Sequence, residues 1–187
     1  MNEREATDLV LDAIEDLGLT YMIVGSLASN AYGVPRATQD ADIVVQLKAD
    51  SISKIEERLG GRLRIDPQAK FETVTGTTKF DLHLPDPVFT IEIFSLTDDP
   101  FDQCRFRRRV QAVMEGRRRF MPTAEDVITQ KLRWSRQGMG GKDIEDARNV
   151  IAVQRERLDW DYIREWCRKL GLGELLDTVV KSIPPLD

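Results

Sequence analysis

The sequence predicts a mixed α/β fold with a helical C-terminal part, and three patterns carry that expectation. The first is a strand–helix–strand unit over residues 21–47. The second is a β-rich stretch over 62–96 that contains an antiparallel pair. The third is a series of helices from Pro122 to Ile183. A strand–helix–strand unit followed by antiparallel strands builds a mixed sheet flanked by helices. A chain of 187 residues can bury a substantial core. The expected division is a sheet-containing core at 1–121 and a helical region at 122–187.

Leu9, Val10, Ala13, Ile14 and Leu17 recur at helical spacing, and Gly18 stops that helix. Residues 21–24 are a short apolar strand broken by Gly25-Ser26. Ser26 is expected to cap a helix over 27–32, which leaves backbone N–H groups and a positive dipole end beside Gly25. Such a corner suits a phosphate, because glycine lets the backbone come close and the N–H groups need acceptors. Residues 40–47 read as a strand with Ala41, Ile43, Val45 and Leu47 on one apolar face and Asp40 and Asp42 on the other. Paired carboxylates repel, and burying either without a partner is costly. A divalent cation relieves that strain, and a nucleoside triphosphate supplies further oxygens to the ion. The plainer reading is two solvated acids at a strand mouth. The Gly-Ser corner fifteen residues upstream favours the metal site.

Gly25-Ser26 followed by Arg36-x-Thr38-x-Asp40-x-Asp42 on a strand resembles the nucleotidyltransferase superfamily related to DNA polymerase beta. The spelling Gly33-Val34-Pro35-Arg36-Ala37-Thr38-x-Asp40-x-Asp42 is more particular. It is similar to the small bacterial enzymes grouped with abortive-infection toxins of toxin–antitoxin systems, and the resemblance covers most of the chain. It implies an α/β (α+β), nucleotidyltransferase-like mixed sheet and a transferase dependent on Mg²⁺ or Mn²⁺. Asp40 and Asp42 would hold the metal, and Gly25, Ser26 and Arg36 would contact the nucleotide. The implied reaction moves a nucleoside monophosphate from a nucleoside triphosphate to an RNA (tRNA-like) or protein hydroxyl, with a cognate partner protein nearby. The alternative is a non-catalytic nucleotide-binding or antitoxin-like module that keeps the fold.

Composition narrows the chemistry. Hydrophobic residues make up 41% and charged residues 32%, as in an ordinary soluble protein, and no apolar run is long enough for a bilayer. The N-terminus lacks the order of a signal peptide, so a cytoplasmic protein with no membrane partner is expected. Cys104 and Cys167 are far apart and read as reduced thiols. With His83 the only histidine, a histidine-based zinc site or a Ser–His–Asp triad is disfavoured. The net charge of −5 is uneven: between Pro100 and Pro122 seven arginines face two acids, leaving +5 there and −10 elsewhere.

Ser51 is expected to cap a helix to Leu59, ended by Gly60-Gly61. Strands are expected at 71–75, 79–84 and 89–94, the last two forming a hairpin across Pro85-Asp86-Pro87. A site of this kind needs a third acid on a neighbouring strand. Glu92 is preferred, because the segment after it resembles the family's segment after its third acid, and Asp81 is the alternative. Pairing Leu84 with Phe89 sets Asp81 opposite Glu92 on one face, whereas a one-residue slip separates them. His83 reads as a bystander. Residues 101–120 read as strands carrying arginines. Arg105, Arg107, Arg109, Arg117 and Arg119 form either a solvated hairpin held by local acids or a phosphate-contacting wall for RNA. Thr123 starts a helix to Trp134, and Lys131 sits inside its apolar stripe. That lysine needs an anion: a phosphate of the nucleotide, as in the resembling group, or Asp143 or Asp146 of the helix after the 138–141 glycines. Two further helices start at Asp159 or Asp161 and at Glu174.

Overall fold

A computed structural model describes residues 1–84, 89–114, 116–136 and 141–184. The chain begins with α1 (Glu3–Asp16), where Asn2 and Glu5 form a capping box. After it, β1 (Tyr21–Ile23), α2 (Gly25–Tyr32) and β2 (Asp40–Val45) form the expected strand–helix–strand unit. Next come α3 (Ser51–Leu59), β3 (Arg64–Ile65), β4 (Lys70–Glu72), β5 (Thr77–His83) and β6 (Thr90–Ser95). The sheet order is β1-β2-β6-β5-β3, with β4 also paired to β5. It is mixed because β2 and β6 run parallel while the other pairs are antiparallel.

Alternation along the strands divides the sheet into two faces. On one, Ala41, Ile43, Val45, Ile91 and Ile93 pack with Val10, Leu11 and Ile14 of α1 and with Ile55 and Leu59 of α3. These side chains are almost fully buried, the Val, Leu and Ile among them each contributing roughly 1.5–3 kcal/mol of hydrophobic stabilisation. The other face carries the acids and a smaller cluster of Met22, Val44 and Phe94 under Phe106, with Trp134 against it.

The stretch after β6 differs from the sequence reading. Pro100–Arg108 is a helix, α4, not a strand. Asp99 accepts hydrogen bonds from the N–H groups of Phe101 and Asp102, and Pro100 occupies the first turn, where its missing N–H does no harm. The arginines dominated the β reading, although Asp99-Pro100 is itself a helix-start signal. The remaining strands, β7 (Val110–Met114) and β8 (Arg117–Met121), form a separate antiparallel pair.

The C-terminal part is helical as expected: α5 (Ala124–Trp134), α6 (Gly141–Gln154), a 3₁₀ turn at Arg155–Arg157, α7 (Trp160–Lys169) and α8 (Gly173–Lys181). Thr123 caps α5 and Asp159 caps α7. Their apolar faces form one cluster that also takes in Ala28 and Tyr32 of α2, so α2 links the sheet to the helices. Two smaller boundaries moved. Asp50, not Ser51, occupies the cap position of α3, and β4 covers Lys70–Glu72, not 71–75. The Pro85-Asp86-Pro87 turn and most of the 138–141 glycine break lie outside the described residues. Among the described residues, no helix is long and apolar enough to cross a membrane.

Candidate active site

Asp40 and Asp42 emerge on the polar face of β2 and partly reach solvent. The parallel register sets Asp42 beside Glu92, and the antiparallel register sets Glu92 beside Asp81. The register is therefore the one that pairs Leu84 with Phe89, and Asp42, Glu92 and Asp81 form a row across three strands. Thr38 donates a hydrogen bond of 2.6 Å to Asp40 Oδ1 and orients that carboxylate.

The Gly25 corner closes against Asp42. Val24 N–H donates to the Asp42 carbonyl at 2.8 Å, and Gly25 adopts φ +61° at the start of α2. A Cβ on Gly25 would stand 1.8 Å from Asp42 Oδ2, so only glycine lets the helix start approach the carboxylate this closely. Burial, then the charges of Asp40 and Glu92, push the Asp42 carboxyl up to about 7, although Lys131 and Lys79 act in the opposite direction.

Ser26 does not cap α2: Val24 holds the cap position, and no side chain bonds there. The Ser26 hydroxyl instead accepts a 2.9 Å hydrogen bond from Arg36 Nη2. Arg36 also grips Asp146 through two bonds of 2.8 and 2.9 Å. Lys131 reaches Asp143 and Asp146, each at 2.8 Å. The anion required by this lysine is therefore present within the protein, as the helix–helix ion-pair reading expected. Burial acts to lower the Lys131 pKa, but the hydrogen bonds it donates to the two carboxylates outweigh burial and keep it above its ordinary value. Arg36 and Lys131 likewise outweigh burial to hold Asp146 low. Gly25, Ser26, Arg36, Asp40, Asp42 and Lys131 all line one cavity of about 210 Å³.

The chain matches no family model and no curated protein. Solved structures do match. One is the antibiotic-resistance factor ANT(2'')-Ia, solved with adenylyl-2''-tobramycin. It aligns with TM-score 0.61 and 14% identity over 89% of this chain and 95% of that one. A second is an antigenic nucleotidyltransferase-like protein from Paracoccidioides brasiliensis, with TM-score 0.55 and 16% identity over 96% and 93%. The third is the lincosamide antibiotic adenylyltransferase LnuA, solved with lincomycin, with TM-score 0.53 and 16% identity over 82% and 98%. The chain has the nucleotidyltransferase fold.

Within this nucleotidyltransferase fold, the two candidates for the third acid have different surroundings. Glu92 lies next to Asp42 and is met by Lys79 Nζ at 2.5 Å. Asp81 is one strand further away, buried, and paired with Lys70 and Lys79. Asp81 also approaches Asp66 and His83, with one ligand atom from each of the three within 4.8 Å of the others. Among the described residues this is the only such convergent group, but Lys70 already bridges Asp66 and Asp81.

The arginines do not form the wall as read. Arg105 is buried against Asp102 at 2.8 Å. Arg119 is buried too and pairs with Asp8, Asp12 and Glu15 of α1, while Arg117 pairs with Asp8 and Asp12. Arg109 stacks on Phe106 and Phe120 and donates to the Phe106 carbonyl. Only Arg107, Arg117 and Arg118 of the seven are exposed. The acids of α1 are distant in sequence, which is why their pairing was not legible. Sequence reasoning also missed Lys79, although Lys79-x-Asp81 on one strand places both on a single face.

Proposed function

We propose that this protein is a divalent-metal-dependent nucleotidyltransferase that moves a nucleoside monophosphate from a nucleoside triphosphate to an acceptor hydroxyl. The observation that carries the reading is the placement of Asp42: in register with Glu92, two residues from Asp40, and pressed against Gly25 at the start of α2.

The donor chemistry of Asp40, Asp42 and Glu92 suits a hard cation, although their oxygens do not converge as closely as those of Asp66, Asp81 and His83. The donors around Asp42 are carboxylate oxygens, and burial together with the charges of Asp40 and Glu92 has raised the Asp42 pKa to about 7, a burden that a cation would lift. Asp40, Asp42 and Glu92 would hold Mg²⁺ or Mn²⁺, with Asp81 as the alternative to Glu92. When bound, the metal neutralises phosphate charge and acidifies a coordinated hydroxyl. The chain's own groups supply the rest. Backbone N–H groups from Gly25 and Ser26 face the terminal phosphates, and Arg36 and Lys131 add positive charge to the same wall. Glu92 accepts the proton of the attacking hydroxyl. The acceptor oxygen bonds to the α-phosphorus as the bond to pyrophosphate breaks, so the proton ends on the carboxylate and the charge on the leaving group.

For the acceptor, the motif resemblance supports an RNA or protein hydroxyl and a role beside a cognate antitoxin. The likeness to ANT(2'')-Ia and LnuA supports a small-molecule hydroxyl as a further choice. The test is incubation with each labelled nucleoside triphosphate and Mg²⁺ in the presence of total RNA, cell lysate, tobramycin or lincomycin. Label should pass to one acceptor class, and the Asp40→Asn/Asp42→Asn variant should lose transfer. Metal-dependent nucleotide binding without transfer to any acceptor would favour the non-catalytic module.

A further inference from the structure

The polar face of the sheet carries a longer row of acids than the site itself uses. Asp42, Glu92 and Asp81 stand in register on three neighbouring strands, and Asp66 continues the row by donating its N–H to the Asp81 carbonyl at 2.8 Å. Like charges opposite one another destabilise a sheet, so the row needs cations of its own. Two lysines supply them. Lys70 Nζ bonds Asp81 Oδ2 at 2.5 Å, and Lys79 Nζ bonds Glu92 Oε1 at 2.5 Å. Lys79 lies on β5 two residues before Asp81 and so shares its face. Its Nζ stands 3.5 Å from Asp81 Oδ1. That oxygen is buried and accepts no hydrogen bond. Folded proteins seldom leave such an atom unpaired, because it forfeits its hydration without return. Lys79 therefore holds one acid and has a second, unpaired acceptor within a short rotation of its end.

We propose that Lys79 is a positioning residue that moves between two acids. It holds Glu92 until a divalent cation binds there, and then passes to the unpaired oxygen of Asp81. The inference rests on the nucleotidyltransferase reading of Asp40, Asp42 and Glu92, and it adds a residue that controls access to the third acid. An ammonium bonded to Glu92 competes with a metal ion for the same carboxylate and repels it. Asp81 makes the exchange cheap, because its free oxygen keeps the displaced ammonium paired in a partly buried place. Lys70 fixes the other oxygen of Asp81, so that acid stays where Lys79 can reach it. Asp81 thus serves the site without touching the metal.

The experiment is Mn²⁺ binding to the full chain, read from the electron paramagnetic resonance signal of the free ion. Lys79→Met should bind Mn²⁺ about tenfold more tightly than the wild type, since it removes both the competitor and its charge. Asp81→Asn should bind about tenfold more weakly, because Lys79 then has no charged acceptor to move to. In the Lys79→Met background the same Asp81→Asn change should cost less than about threefold, the remaining effect of one lost negative charge. Equal losses in the two backgrounds would make Asp81 a metal ligand in its own right and overturn the proposal. Unchanged or weaker binding by Lys79→Met would overturn it as well. Circular dichroism checks that each variant folds, and Lys79→Gln, polar but uncharged, takes the place of Lys79→Met with the same expectations if that chain does not fold. Asp40→Asn/Asp42→Asn separates the two levels of the reading. If it abolishes binding while the Lys79 and Asp81 variants depart from these outcomes, only the exchange fails. If it leaves Mn²⁺ binding intact, the strand acids do not hold the ion, and the metal site falls together with the proposal.

Discussion

Gly25 and Asp42 constrain one another tightly. Gly25→Ala would bring its Cβ to 1.8 Å from Asp42 Oδ2 and hold a non-glycine residue at φ +61°. We expect a loss of stability of about 1–3 kcal/mol together with loss of nucleotidyl transfer, checked by urea unfolding and by label transfer. Asp42 itself stores instability. Its folded pKa of about 7 lies above the ordinary carboxyl value, so between these two values the folded state binds more protons than the unfolded chain. Its contribution to stability therefore declines as pH rises from about 4 to 7. Asp42→Asn should raise Tm at pH 8, and that advantage should vanish at pH 4. Equal gains at both pH values in thermal melts would show that the carboxyl is not perturbed.

At the scale of elements, α5, α6 and the segment before β2 are tied by one ionic network: Lys131, Asp143, Asp146, Arg36 and Ser26. It connects the helical cluster to the corner where the nucleotide is proposed to bind. Lys131→Ala leaves Asp143 without this partner and Asp146 with Arg36 alone. The expected loss is about 3 kcal/mol, the lower end for breaking a buried pair, since Arg36 still compensates Asp146. Chemical denaturation measures it, and an unchanged midpoint would mean that the pairing is worth nothing in solution. The β8 arginines act similarly between elements, as Arg119 joins the β7–β8 hairpin to three acids of α1.

For the whole molecule, this pairing changes what the charge distribution can do. The local excess of +5 in the sequence is partly offset in space by Asp8, Asp12 and Glu15, which leaves Arg107, Arg117 and Arg118 as the exposed arginines of that stretch. If RNA is the acceptor, its affinity should depend only weakly on salt. A log–log slope no steeper than about −2 is expected if Arg107, Arg117 and Arg118 provide the phosphate contacts. Filter binding across a salt series checks this, and a slope of about −3.5 or steeper, as five phosphate contacts would give, would restore an arginine wall.

The sequence by itself determined most of the strands and helices in the first 96 residues, apart from short boundary shifts and the two-residue strand β3, which it did not single out. Period-2 alternation in 40–47 and helical spacing in 2–17 are local signals, and burial on one face agrees with both. It also supplied the pair Asp40 and Asp42 and the glycine beside them, because two residues apart on a strand means one face. Partners across long separations were decided only by the tertiary structure. A β-register is set by a turn and by the packing of a whole face, so the row Asp42–Glu92–Asp81 required the folded sheet. The ion pairs of Lys131 and Arg119 likewise depend on which helix docks where. Charge patterning along a chain does not reveal that, because an arginine carries the same +1 whether it meets solvent, a phosphate or an aspartate a hundred residues away.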